Sequence, residues 1–306
     1  MATGIDSPQQ PEPPGSGDSG MQATPSASKP RKKSKAGRDL KTAIPVGAGL
    51  GGIVIASIAF NPRWWYVVVS IAIAIATWEV FKRMRQAGIR MPFVPMLLGS
   101  QATIWLTLPF GPEGAFAGYA STVVVVLIWR LFLDGLSSAP RNYLRDVAVS
   151  VFVLSWVGVP AAAGAMLSLG DYGAQQVIAL IVLVVCSDVG GYVAGVLFGK
   201  RPMAPAISPK KSWEGFAGSM LFGVVGGVLV VMFLFDDLAY KGALLGIFAV
   251  ITASLGDLVE SQVKRDLGIK DMGSLLPGHG GLMDRLDSLL PSAVVAWLVF
   301  SYLVWV

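Results

Sequence analysis

From Thr42 onward the chain keeps returning to apolar runs about as long as a bilayer is thick, and that recurrence limits what it can fold into. A helix needs ~20 mostly apolar residues to cross the hydrocarbon core. Backbone that faces lipid must satisfy its own hydrogen bonds, so helices are the only sensible reading of such runs. They fall at 42–60, 64–81, 91–110, 114–133, 146–169, 175–198, 215–235, 241–260 and 285–306. The expected fold is an all-α polytopic membrane protein of about nine transmembrane helices. Composition agrees: 14% of the residues are charged, against ~25% in ordinary soluble domains, and the mean hydropathy is +0.63. The single cysteine, Cys186, excludes an intramolecular disulfide and a thiolate metal site.

Charge placement gives the orientation. With the N-terminus in the cytoplasm and the runs alternating, 22 of the 24 Lys/Arg fall on the cytoplasmic side. Only Arg63 and Lys241 lie outside, as the positive-inside rule requires, and the C-terminus is then outside. Residues 1–28 are mostly Pro, Ser, Gly, Gln and Ala, too poor in large apolar side chains to fold alone. "KPRKKSKAGRDLK" follows, and reads as a topology signal held near anionic head groups. The expected organisation is a disordered basic tail, 1–41, and a membrane domain, 42–306. The tail is not a cleavable signal peptide, since its apolar run begins late and no A-x-A site follows. With the basic charge spread in this way, nucleic acid is not an expected partner.

The informative residues are the acids in or near the spans: Glu79, Asp188, Asp257, Glu260, Asp284 and Asp287. Ionisable groups there are expensive and read as functional by default. All six lie toward the cytoplasmic ends of their spans. Asp257, Glu260 and Ser261 share one helix face, and Asp284, Asp287 and Ser288 repeat that spacing. A favourable helix dipole would explain one such aspartate. Two carboxylate clusters flanking one loop fit a hard divalent cation better. Between them stand Lys264, Arg265, Lys270 and Arg285, with "PGHGG" in the middle. Glycines let backbone N–H groups approach an anion, although a tight turn would use them too. The sole histidine, His279, suits phosphate binding or proton handling. Cations for phosphates and carboxylates for Mg²⁺ are together what a nucleoside triphosphate requires. Upstream, Ser208, Lys210, Lys211 and Ser212 form a second basic stretch that could hold a phosphate or simply be solvated. Gly191, Gly195 and Gly199 recur every four residues and read as close helix packing, while Asp188 just before them faces a polar cavity.

"SQVKRDLGIKDMGSLLPGHGGLMDRLD", Ser261 to Asp287, resembles the defining motif of the phosphatidate cytidylyltransferases, or CDP-diacylglycerol synthases, at every fixed position. "SDVGGYVAGVLFGK" and "SPKKSWEG" also look like that family's earlier segments, in the expected order. The resemblance implies transfer of CMP from CTP to phosphatidic acid, releasing pyrophosphate, with Mg²⁺ as cofactor. It implies Asp257 and Asp284 as metal ligands, and Lys264 and Asp287 beside them in catalysis. It implies a substrate site of Asp188, Ser208, Lys210, Lys211, Ser212, Ser261, Arg265, Lys270, Asp271, His279, Gly280, Gly281 and Arg285. The expected home is a bacterial inner membrane with the site on the cytoplasmic face; pairing into a homodimer is left open. An apolar, laterally open groove for the acyl chains is expected between the last helices and the sixth.

The rival enzymes are other membrane transferases of phosphorylated lipids, including a CTP-dependent lipid kinase. The D-G-x2-A-R pattern of the CDP-alcohol phosphotransferases is absent. The rival of another class is a secondary transporter coupling through Asp188, Asp257 and Glu260. It would not need the Lys/Arg/Gly/His loop, and no internal repeat supports it.

Overall fold

The computed structural model describes residues 49, 51–59, 61–137, 139–275 and 280–304. The tail expected over 1–41, most of the first half of the first run, and His279 lie outside the described residues. Helix α1 covers 51–59, and α2 covers Pro62–Gln86. Asn61 starts α2 by accepting a bond from the Arg63 N–H at 2.9 Å, with Pro62 at the first helical position. Helices α3 (Phe93–Trp105) and α4 (Thr107–Phe132) form an antiparallel pair. Their reversal is at Gly111, whose φ of 56° lies in the left-handed region, and Pro112 restarts the helix. Close contact follows along the pair, with Gly99 against Thr122 and Gly118 against Thr103.

Helix α5 (Tyr143–Val153) continues through a π turn, Leu154–Gly158, into α6 (Val159–Met166). Pro160 has no N–H and would clash with the carbonyl four residues back, and the wider turn before it relieves that conflict. Next come α7 (Gly173–Phe198), strands β1 (Pro202–Ala204) and β2 (Ser208–Ser212), α8 (Trp213–Leu234) and α9 (Ala239–Asp266). A short α10 (Met283–Leu286) leads into α11 (Leu289–Tyr302). Among the described residues, six helical stretches are long and apolar enough to cross a membrane: Arg63–Gln86, Thr107–Phe132, Tyr143–Met166, Gly173–Phe198, Trp213–Leu234 and Ala239–Asp266. The protein is therefore mostly helical and multi-pass. Side chains such as Phe116, Phe198 and Phe233 are exposed on the bundle, as lipid-facing residues should be.

Two details depart from the expectation. Residues 202–212 form an antiparallel hairpin, not a loop. Pro202, Pro205 and Pro209 bar a helix there. Helix α9 also extends to Asp266, past the expected end at 260, so Lys264 and Arg265 are helical. Two apolar cores hold the bundle. One joins α2, α3 and α5–α6 to Met272 and Met283, and the other joins Trp65, α7, α8, α9 and α11.

Candidate active site

The C-terminal ends of α2, α7 and α9 meet the N-terminal ends of α8 and α10. Between α7, β2, α8 and α9 lies a cavity of about 220 Å³ whose lining includes Asp188, Lys210, Lys211, Ser212 and Asp257. Three segments separated by tens of residues thus converge on one space. Glycines make this possible: a Cβ at Gly191 would run into the Ser219 hydroxyl, and one at Gly218 into Ala194. The glycine stripe is a packing seam, as read from the sequence, but Gly191 and Gly195 also line the cavity. The Lys211 ammonium sits 2.7 Å from Asp257 Oδ2 and donates to the Ser254 carbonyl at 3.2 Å. Ser261 donates to Asp257 Oδ1 at 3.2 Å. Ser212 caps α8 by accepting from the Gly215 N–H at 3.1 Å.

Beside the cavity the motif loop folds around Asp284, which is 7% exposed. Its carboxylate accepts from the N–H groups of Met272 at 3.0 Å and Gly281 at 2.8 Å, and from the Lys264 ammonium at 3.0 Å. Burial pushes this carboxyl up, but those donors outweigh it and hold the group below its ordinary value. Lys264 also reaches Glu260 at 2.7 Å, so one ammonium spans two buried carboxylates. From the far side α2 grips the same loop. Arg83 donates to the carbonyls of Met272 at 2.7 Å and Asp271 at 3.2 Å, and Glu79 accepts from the Met283 N–H at 2.9 Å. Gly273 and Gly281 touch the Glu79 carboxylate so closely that a Cβ at either position would overlap it.

Helix α9 approaches the start of α11 at Gly256, where a Cβ would overlap the Asp287 carbonyl and Pro291. That contact brings Asp257 toward Asp287, whose carboxyl is also within hydrogen-bonding reach of Glu260. Glu260 is fully buried, and its Oε1 has no partner among the described residues. Carboxylates crowded in this way call for a shared proton or a cation. Hard oxygen donors suit Mg²⁺, so the chemistry of the set fits that ion. Among the described residues no three acids, histidines or cysteines are already arranged as a metal cage. Mg²⁺ does not need one, since it keeps waters and takes substrate phosphate oxygens.

The remaining expected site residues are placed less centrally. Ser208 pairs with Ala204 in the hairpin, and Arg265 donates to the Ile207 carbonyl at 3.1 Å, latching that hairpin to α9. Lys270 and Asp271 are exposed, and Gly280 turns the chain with φ at 87° beside Asp284. Arg285 lies near enough to Asp188 to act on its charge. Sequence reasoning missed the grip of Arg83 on the loop. Its signal was the Glu79–Arg83 spacing of one helical turn at the end of an apolar span. Tyr192, Ser187 and Ser219 also line the cavity and were not singled out.

An apolar multi-pass bundle that gathers acids, lysines and a helix-capping serine at one end defines a membrane enzyme built to handle phosphates. The chain belongs to the cytidylyltransferase family, whose model matches residues 41–303. It is 53% identical over 278 residues to the phosphatidate cytidylyltransferase of Mycobacterium bovis, an alignment covering 88% of this chain and 91% of that protein. The Mycobacterium tuberculosis protein of the same name is also 53% identical, over 88% of this chain and 85% of its own length. That of Mycobacterium leprae is 51% identical over 88% and 90% of the two chains.

Proposed function

We propose that the protein transfers CMP from CTP to phosphatidic acid, producing CDP-diacylglycerol and pyrophosphate for phospholipid synthesis. The observation that carries this reading is the joint lining of one cavity by Asp188, Lys210, Lys211, Ser212 and Asp257, next to the Asp284 loop. A phosphatidate oxygen attacks the α-phosphorus of CTP, and the bond to pyrophosphate breaks. Both reactants are anions, so positioning and charge neutralisation do most of the work. Lys210 and Lys211 bind phosphate oxygens, and Lys211 exchanges its Asp257 contact for them. Lys264 supplies fixed positive charge beside the loop. The lipid phosphate is already ionised, so the chain needs no strong general base. Asp257 and Asp284 would hold Mg²⁺, which when bound would supply positive charge to the reacting phosphates. Asp287 and Glu260 tune that site from behind.

The same reading sets the membrane arrangement. Beyond the six long apolar helices, α1, α3 and α11 complete nine crossings. Helix α3 continues through Leu106 to the turn at Gly111, and α11 is preceded by α10, which lengthens both. The N-terminus is cytoplasmic, the C-terminus outside, and the cavity opens on the cytoplasmic face of a bacterial inner membrane. CTP reaches it from water and phosphatidate from the bilayer. The test is turnover in detergent micelles with phosphatidic acid, Mg²⁺ and CTP labelled in the cytosine. Label should enter the lipid, with equal pyrophosphate released, and EDTA should stop both. Folded protein that leaves the lipid unlabelled would refute the reading.

A further inference from the structure

A second cavity, of about 240 Å³, is lined at one side by Leu282, Arg285 and Leu286. Its walls include Val69, Ala72 and Ile73 of α2, Ala161 of α6, Leu180 of α7 and Leu290 of α11. The sequence expectation placed such a groove between the last helices and the sixth. Helices α7 and α11 do contribute, but α2 and α6 supply more of the wall. Among the described residues that line it, Arg285 is the one charged side chain. Arg285 also acts on the charge of Asp188 in the polar cavity, so it lines the apolar cavity on the side that faces the polar site.

The opposite end is closed by Trp65, which is 5% exposed. Its indole N–H donates to the Gly164 carbonyl at 2.8 Å, which fixes the ring against α6. Eight residues separate Trp65 from Ile73 on α2, about 12 Å along the helix axis at ~1.5 Å per residue. A Cβ at Gly164 would meet Ala293 of α11, so Trp65 lies against α11 about two helical turns beyond Arg285. A surface groove between α1 and α2 shares Ile53 and Val68 with the cavity, and Ile53 is 55% exposed. An apolar chain can therefore enter from the side.

We propose that this cavity seats one acyl chain of the lipid substrate, with Arg285 at its head-group end and Trp65 as the floor that limits chain length. The proposal rests on the phosphatidate reading above. The occupant follows from charge and size. Arg285 complements a lipid phosphate, and the volume falls below the ~300–1,000 Å³ of sites that enclose a whole drug-sized ligand. It accommodates one chain and leaves the other in the bilayer. Selection works by fit, because lipid tails are as apolar as the cavity wall and transfer between them gains little. A chain that meets Trp65 must buckle or push the wall aside.

The experiment compares kcat/KM for long- and short-chain phosphatidates in mixed micelles. Trp65→Ala deepens the cavity and should raise the long-to-short ratio by roughly tenfold, the scale of relieved overpacking. Ala72→Leu fills the middle without removing a hydrogen bond and should lower that ratio. KM for CTP should stay at the wild-type value in both. Opposite shifts support the assignment. Unchanged ratios in active variants would overturn it while leaving the reaction intact, and so would a shift of both in the same direction. If Trp65→Ala does not fold, Ala72→Leu decides alone. Wild-type protein that labels no phosphatidate of any length would instead defeat the reading beneath it.

Discussion

Two regions at the same end of the bundle bury charge, and they do it in opposite ways. In the first, Arg130 is fully buried between α4 and α5. Its Nε and Nη2 donate to Asp146 at 3.1 and 2.9 Å, its Nη1 to Asp134 at 3.0 Å, and its Nη2 also to the Arg141 carbonyl at 2.9 Å. Arg145 donates to the other Asp146 oxygen, and Arg90 to Asp134. Every charge there meets its opposite. In the second region the carboxylates outnumber their cations, with Lys211 and Lys264 serving Asp257, Glu260 and Asp284. Asp287 approaches Glu260, and Glu260 and Glu79 each keep a buried oxygen without a partner among the described residues. A closed network of opposite charges can specify a structure. Crowded like charges cost stability, and they persist where something else completes them.

The sharpest way to break this distinction is to remove one charge from the crowded region. Asp257→Asn should lower turnover by at least ~10²-fold, more than is lost when outer partners of a metal site are changed. Its thermal unfolding should stay close to wild type, because the change relieves repulsion. Turnover near wild type would make Asp257 a merely structural neighbour of Lys211. Asp284→Asn tests the residue that shares both characters. It should also abolish turnover, but with loosening of the loop, since its N–H donors lose part of their acceptor. Hydrogen exchange at Met272 and Gly281 reads that difference. Since its donors hold the Asp284 carboxyl below its ordinary value, the bonds from the Met272 and Gly281 N–H groups persist through neutral and mildly acidic pH. They are lost only as pH falls through the lower, folded value.

The converse variant is Arg130→Met. Leaving one Asp146 oxygen buried without its partner, with only the half-exposed Arg145 on the other, should cost about 3–5 kcal/mol of stability. The protein that remains folded should keep its KM for CTP. A selective loss of CTP affinity, with stability unchanged, would move Arg130 into the site and dissolve the comparison.

The two regions were unequally legible in the sequence. Acids in apolar spans stand out, so Asp188, Asp257 and Glu260 could be picked without coordinates, and their helix-face spacing was visible. The convergence of Lys210–Ser212 on Asp188 and Asp257 was not, because it depends on how tightly glycines let α7 and α8 approach. Arg130 and Arg83 each looked like one more basic residue at a helix end. Arg130 pairs across 16 positions and Arg83 bonds a carbonyl 189 positions away, and neither contact leaves a periodic trace. The hairpin at 202–212 was hidden by its shortness, although its prolines argued against a helix. Buried cross-chain contacts of this kind follow from packing, which a pattern of residue types constrains only in part.

A gentler variant sharpens the same comparison from α2. Arg83→Met removes the donor to the Met272 and Asp271 carbonyls while leaving the acids in place. Bonds to a charged donor contribute about 1.5–3 kcal/mol each in favourable settings. The loop also keeps its Glu79 and Asp284 contacts, so the expected loss in kcat/KM is about tenfold, with the metal dependence unchanged. A shift in the Mg²⁺ requirement would show that Arg83 acts on the site directly and not through loop position.

The smallest effect is expected at the rim of the closed network. Arg145 reaches Asp146 at 2.9 Å, as close as Arg130 does, yet its side chain is 46% exposed where that of Arg130 is 1% exposed. Water already screens an exposed guanidinium, and holding it in one rotamer costs entropy. Such pairs contribute ~0–1 kcal/mol. Arg145→Met should therefore shift the thermal midpoint only slightly and leave turnover unchanged, although it removes bonds of the same length to the same carboxylate. If it instead destabilised the protein as much as Arg130→Met, burial would not be what separates the two arginines. The network would then have to be read as one cooperative unit in which every member counts equally.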